Sequence, residues 1–121
     1  GFYGWKRKQS GRDLFRQKQA NLKKQMKESI TFNDPSLFFR ATRERLRLEI
    51  GTFYKHSNPS ALSSNELTQL LHNGTNSEST ISEIQKILTT SDDHEFAGTL
   101  KDTQSLDDLY KHINKLLKQI Q

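Results

Sequence analysis

Residues 105–121 read SLDDLYKHINKLLKQIQ and carry the clearest helix signal in the chain. At about 100° per residue, the large apolar side chains of this stretch fall within an arc of about 120°. These side chains are Leu106, Leu109, Tyr110, Ile113, Leu116, Leu117 and Ile120. Ser105 suits the N-cap, and Asp107 and Asp108 in the first turn suit the helix dipole. A helix with one apolar face must pack against other helices, so this stretch favours an all-α fold.

A second helix is predicted from Asp34, which suits the N-cap, and Pro35, which suits the first helical position. It ends before Pro59. Its apolar residues form two stripes, which is typical of a central helix with neighbours on both sides. One stripe is Phe39, Leu46, Ile50 and Phe53, and the other is Leu37, Ala41 and Leu48.

Two shorter helices are predicted between these two. Ser63 and Glu66 have the spacing of a capping box, and so do Thr80 and Glu83. An irregular acidic stretch follows, with residues 96–98 expected to form a buried anchor and a turn. The sequence therefore predicts a small four-helix bundle over residues 32–121.

Residues 1–31 are predicted to precede the bundle as a basic juxtamembrane segment that is flexible or loosely helical. Between residues 11 and 29 only Phe15, Leu22 and Met26 share a stripe, and this stripe is narrow. A helix with so little apolar surface is marginal alone. The segment is therefore placed outside the bundle.

Charge divides the chain near residue 28. The first 28 residues contain nine Lys and Arg against two Asp and Glu, a net charge of +7, and the other 93 contain ten against twelve, a net charge of −2. Aromatic residues come first, and cations follow at once. This order is typical of a chain leaving a bilayer on the cytoplasmic side. The predicted membrane-interface residues are Trp5, Lys6, Arg7 and Lys8, and the basic N-terminal segment as a whole is expected to bind anionic lipid.

No motif for catalysis, a cofactor or a metal is found. There are no cysteines, no two of the four histidines have helical ligand spacing, and no glycine-rich phosphate loop occurs. The sequence therefore predicts a protein that is not an enzyme and has no cofactor.

Arginine marks the candidate partner-binding surface. Arg40, Arg43 and Arg47 fall on one side of the helix that begins after Asp34, with Glu44 among them. This side is either a solvated surface or a docking surface for an acidic protein. Nucleic acid is the less favoured partner, because the aromatic residues precede the N-terminal cations instead of alternating with them.

Several stretches resemble the C-terminal cytoplasmic region of BatD proteins, from the bacterial aerotolerance operon. Residues 34–43, DPSLFFRATR, resemble the start of that helical region. Residues 63–67 and 96–98, the closing helix and the basic start at residues 5–7 are similar too. The likeness extends over roughly the whole chain and rests on short, non-catalytic motifs.

The resemblance implies an inner-membrane protein with a large extracytoplasmic part and a cytoplasmic scaffold domain. It implies a role in oxygen tolerance and envelope stress, with von Willebrand A-domain membrane proteins and a MoxR-type AAA ATPase as partners. The alternative from the residues alone is a soluble helical domain that binds nucleic acid through its basic N-terminal segment.

Overall fold

Five α-helices and one short 3-10 turn make up the part of the chain that the structure describes. This computed structural model describes the backbone of residues 2–92 and 105–121, and side chains from residue 11 onward. The helices are α1 (Phe2–Thr31), α2 (Pro35–Phe53), α3 (Ser64–Asn73), α4 (Glu78–Asp92) and α5 (Leu106–Gln119), and the 3-10 turn is Pro59–Ala61. No strand occurs within these ranges. The predicted all-α class is confirmed.

Helix α2 lies at the centre and contacts each of the other four helices. Phe38 and Phe39 are both buried and meet edge to face, with ring centroids 5.4 Å apart. Leu46 and Ile50 are buried as predicted, but Phe53 is 53% exposed. Phe53 lies in the last turn of α2, where it lines an open groove with side chains of α1 and α5. Two-sided burial explains why the apolar residues of α2 form two stripes.

The predicted caps at Asp34 and Ser105 are confirmed. The Asp34 carboxylate accepts a hydrogen bond from the Leu37 amide at 3.2 Å, and the Ser105 hydroxyl accepts one from the Asp108 amide at 3.1 Å. Pro35 occupies the first helical turn, where no backbone donor is needed.

The two other predicted caps have different outcomes. Ser63 and Glu66 form the complete capping box at the start of α3. The cap predicted at Thr80 is wrong, because α4 begins at Glu78 and the Ser77 hydroxyl accepts from the Thr80 amide at 3.2 Å. Thr80 is buried and donates to Gln119 of α5 instead. Serine is the stronger N-cap residue of the two, and Ser77 lies one turn before Thr80.

Helix α1 is continuous and joins the bundle through its last turns. Met26 and Ser29 are fully buried, and Leu22 and Ile30 pack against the same core. The predicted boundary at residues 31 and 32 falls at the turn into α2, where Asn33 has a left-handed φ of 51°. The second half of α1 therefore adds a fifth helix to the four predicted for residues 32–121.

The direction of α1 defines two ends of the bundle. Gln19 of α1 contacts Glu49 of α2, and Met26 contacts Arg45, so the two helices are antiparallel. The stem end contains the last residues of α2, α3 and α5 and the start of α4. The turn end contains the α1–α2 turn. Residues of α1 before about Phe15 extend beyond the stem end, because Phe15 lies beside Phe53 in the last turn of α2.

Candidate interaction surfaces

The predicted membrane-interface residues lie in the first turns of α1. Trp5, Lys6, Arg7 and Lys8 are helical, and their side chains lie outside the described part. Helix geometry puts Trp5 about 15 Å along the axis from Phe15. The backbone of these four residues therefore belongs to the overhang, which is the part of α1 before Phe15 that extends beyond the stem end.

Further along α1, the described cations face solvent. Arg12, Arg16, Lys18, Lys24 and Lys27 are all exposed. None of them forms an ion pair with a residue whose side chain is described. Their charge is therefore available to an external anion along most of the helix.

The three arginines of the candidate partner surface share one side of α2 but differ in their contacts. Arg40 is exposed. Arg43 lies 3.6 Å from Asp92 of α4, and Arg47 lies 3.1 Å from Glu44. An acidic partner would have to compete with these internal carboxylates at two of the three positions. Arg40 is therefore the most accessible part of this surface.

Arg45 is a buried cation that the sequence reasoning missed. Its side chain is only 3% exposed and forms an ion pair with Glu49 one turn later, with Nε and Oε2 2.5 Å apart. The other Glu49 oxygen accepts from Gln19 of α1 at 2.9 Å. The guanidinium also contacts Met26 of α1 and lies 5.8 Å from the centre of the Tyr110 ring of α5. One ion pair thus connects α1, α2 and α5.

A signal for this burial was present in the sequence. Arg45 and Glu49 have the i, i+4 spacing of a helical ion pair. Arg45 also lies within about 60° of Phe38 and Thr42 around the helix, on a face that is mostly apolar. Its role is to hold α1 against the bundle, whereas Arg47, about 200° away from it, faces outward.

The polar residues at the stem end form a structural clasp. Asn76 donates to the Tyr54 hydroxyl at 2.6 Å and to the Leu71 carbonyl at 3.0 Å, and it accepts from the Gln121 amide at 2.8 Å. Tyr54 donates to the Gln121 carbonyl at 2.7 Å. Gly74 is required here, because a Cβ would lie 2.5 Å from the Tyr54 hydroxyl. These groups satisfy one another's hydrogen-bonding capacity, so the polar loop after α3 has a structural role, which is to join the ends of α2, α3 and α5.

An apolar groove lies beside the clasp, where α1 leaves the bundle. It has a volume of about 210 Å³ and is lined chiefly by Phe15, Phe53, Leu117 and Ile120. Its opening lies at the stem end, beneath the α1 overhang. This groove places half-buried apolar side chains next to the basic part of α1.

Nothing in the described part has the arrangement of a metal centre. No group of three or more His, Asp or Glu side chains that could hold an ion is found in residues 11–92 and 105–121. His112 of α5 instead lies 3.2 Å from Glu83 of α4, as a contact between helices. The anchor predicted at residues 96–98 lies outside the described residues.

Comparison with known proteins gives no match to a family model, a curated protein or a solved structure. In the part of the chain that the structure describes, no helix is both long enough and apolar enough to cross a membrane.

Proposed function

We propose that this chain is a non-catalytic, membrane-tethered interaction domain on the cytoplasmic side of a bacterial inner membrane. The observation that carries this proposal is α1. Its first turns contain the aromatic and cationic residues typical of a membrane exit, and the same helix continues into the core at Met26. A tether attached there would be joined to the bundle by a continuous helix.

The attachment of α1 supports transmission of movement between tether and bundle. Gln19 and Met26 both contact the buried ion pair of Arg45 and Glu49. Pulling or rotating α1 would therefore disturb a buried charge, which is energetically costly. A scaffold that reports the position of a membrane complex needs this kind of stiff connection.

The partner surface in this proposal is the arginine side of α2. Arg40, Arg43 and Arg47 would meet an acidic cytoplasmic surface, since arginine presents a planar fork that matches carboxylates. The resemblance to BatD suggests von Willebrand A-domain membrane proteins and a MoxR-type ATPase of the same operon as partners, in aerotolerance and envelope stress.

Vesicle binding tests the membrane part of the proposal. The triple variant Lys6→Gln, Arg7→Gln, Lys8→Gln should bind phosphatidylglycerol vesicles about a hundredfold less tightly than wild type, at about 1 kcal/mol for each cation. Added salt should weaken the wild-type interaction. The matched control is Lys86→Gln, Lys115→Gln, Lys118→Gln, which removes three exposed cations elsewhere. Equal losses in the two variants, or equal binding to neutral phosphatidylcholine, would refute membrane attachment by these residues.

A test of the partner surface needs a variant that does not introduce repulsion between position 43 and Asp92. Glutamate at position 43 would face Asp92 and damage the fold, so Arg40→Gln, Arg43→Gln, Arg47→Gln is the better variant. It should reduce co-purification with a von Willebrand A-domain protein encoded in the same operon. Lys86→Gln, Lys115→Gln, Lys118→Gln is again the control. Undiminished co-purification would show that this side is only a solvated surface.

A second function, binding of nucleic acid, is favoured by the unpaired cations in the described part of α1. It makes a different forecast, namely duplex DNA binding whose affinity falls steeply with salt and is lost in variants of α1. Saturable DNA binding at physiological salt, together with no preference for anionic vesicles, would replace the membrane proposal.

A further inference from the structure

The last turns of α1 and the residue after it form a surface that the proposed function does not use. We name it the Lys–Phe patch, and it consists of Lys23, Lys24, Lys27 and Phe32. The four side chains border a surface groove of about 510 Å³. Phe32 is 78% exposed, more than any other large apolar side chain in the described part.

The backbone holds Phe32 in this exposed position. The Phe32 amide donates to the Glu28 carbonyl at 2.9 Å, and the Asp34 amide donates to the Ser29 carbonyl at 2.8 Å. Ser29 itself is fully buried. The aromatic ring is therefore presented on a tight turn with little backbone freedom to lose on binding, and it adds nothing to the core.

Among the described residues, no carboxylate pairs with the lysines of the patch, whereas Arg43, Arg45 and Arg47 all form ion pairs. Glu28 is the single acid among the groove residues. The patch therefore suits an anionic ligand that also presents an apolar group to Phe32.

If α1 carries the membrane tether, the patch lies too far from the bilayer to bind it. The exclusion of lipid as the ligand therefore rests on the proposed function. Lys23 to Phe32 lie about 27–40 Å along α1 from Trp5. The Debye length at physiological ionic strength is about 8 Å. Cations this far from the headgroups contribute little to lipid attraction. The net charge of +7 on α1 therefore includes two separate groups of cations, one near the membrane and one in the patch.

We propose that the Lys–Phe patch binds an acidic protein segment that packs an apolar side chain against Phe32. The lysines neutralise flanking carboxylates of that segment, and the ring of Phe32 buries its apolar residue. This surface lies on α1 and its turn, whereas the arginine surface lies on the opposite side of α2. The domain therefore has two separate protein-binding surfaces.

Peptide binding tests this directly. The probe is a fluorescein-labelled, end-capped glutamate peptide with a central Leu-Phe pair, and its control has Ser-Ser there. The variant Lys23→Gln, Lys24→Gln, Lys27→Gln should lower affinity about tenfold, because exposed ion pairs are individually weak. Phe32→Ser should remove the preference for the Leu-Phe peptide. Both variants change exposed or half-buried side chains, and circular dichroism confirms that they remain folded.

The outcomes separate the patch from the membrane proposal. Support requires that Lys86→Gln, Lys115→Gln, Lys118→Gln retains wild-type peptide affinity while the patch variants lose it. Absence of saturable binding, equal binding by all variants, or no preference for the Leu-Phe peptide overturns the patch. Loss of phosphatidylglycerol vesicle binding in the patch variant also overturns it, because lipid is then the ligand. Normal peptide binding without vesicle binding supports the patch and refutes the tether.

Discussion

Arg45 is a buried cation that pairs with Glu49 and contacts Met26 and the Tyr110 ring, while Gln19 donates to the other Glu49 oxygen. Removing a charge from water costs several kcal/mol, and the pair repays this cost only while both members are present. Contacts with three helices also mean that the ion pair can form only when α1, α2 and α5 are in register. The residue therefore selects one arrangement of the helices.

Loss of one member of this pair should be severe. Glu49→Ala should lower the free energy of unfolding by about 3 kcal/mol, since Arg45 would remain buried without a counter-ion. The double change Arg45→Met, Glu49→Leu should recover most of the loss. Urea denaturation measures both. Arg47→Ala is the control, because its partly exposed pair with Glu44 is worth less than about 1 kcal/mol. Equal effects of Glu49→Ala and Arg47→Ala would contradict the buried-pair account.

The two helical glycines Gly51 and Gly11 have different surroundings: one is closely packed and the other is open. A Cβ on Gly51 of α2 would lie 2.7 Å from the Cβ of Pro59 and 3.0 Å from a methyl carbon of Leu62. A Cβ on Gly11 of α1 would meet nothing within 4 Å. Gly51 thus lets the segment after α2 fold back closely, whereas Gly11 only weakens its helix.

The two glycines should respond to alanine with opposite signs. Gly51→Ala should destabilise the protein by about 1–3 kcal/mol through overpacking, despite the better helix propensity of alanine. Gly11→Ala should strengthen α1, stabilising it by up to about 1 kcal/mol. Thermal unfolding followed by circular dichroism measures both. A stabilising Gly51→Ala change would show that the backfolded segment is not tightly packed.

At the scale of single helices, end chemistry determines where each one begins. Helix α3 has only ten residues, so its capping box contributes a large share of its local stability. The Ser63 amide donates to the Glu66 carboxylate at 3.1 Å. This hydrogen bond, followed by the Ser63 hydroxyl and the charge of His56, lowers the pKa of Glu66.

The capping box should make stability depend on pH. Because the pKa of Glu66 is lower in the folded state, its contribution is present above the unfolded pKa and is lost as pH falls through the folded pKa. Glu66→Gln keeps an acceptor for Ser63 but removes the charge. Wild type should therefore exceed Glu66→Gln in melting temperature near neutral pH, and the gap should close in acid. A gap independent of pH would contradict this role for the carboxylate.

At the scale of the whole molecule, the basic N-terminal segment and the bundle share one helix. The overhang before Phe15 extends past the stem end, whereas Gln19, Leu22 and Met26 are packed. The basic segment therefore has a part that packs in the bundle, from about Phe15 onward, and a part before it. Truncation at different positions can remove the part before Phe15 alone or both parts.

Truncation should distinguish these two parts. Deleting residues 1–10 should leave the melting temperature nearly unchanged, since the described contacts of α1 with the bundle lie at Phe15 and beyond. Deleting residues 1–28 should lower the free energy of unfolding by at least about 4 kcal/mol, because Met26 leaves the core and Arg45 is uncovered. Calorimetry of the two fragments measures the difference. Similar stability of the two fragments would show that α1 is dispensable for the fold.

Periodicity and capping residues were enough to predict the all-α class, four of the five described helices and the burial of Leu46, Ile50, Leu109 and Ile113. Leu117, which was also predicted to be buried, is only partly buried. The confirmed predictions follow from local rules, since a helix face and an N-cap are properties of a few consecutive residues. The candidate arginine surface was likewise predictable as positions on one side of α2, although its function stays a proposal.

The contacts of Arg45 with α1 and α5, the packing of α1 and the internal pairing of Arg43 follow only from how distant segments meet. Gln19 and Glu49 are 30 residues apart, and Arg43 and Asp92 are farther apart still. The stripe of α1 is narrow because polar side chains such as Gln19 and Ser29 complete its contact with α2. No local pattern separates a polar residue that faces water from one that meets its partner across a helix interface, because burial depends on the opposing surface.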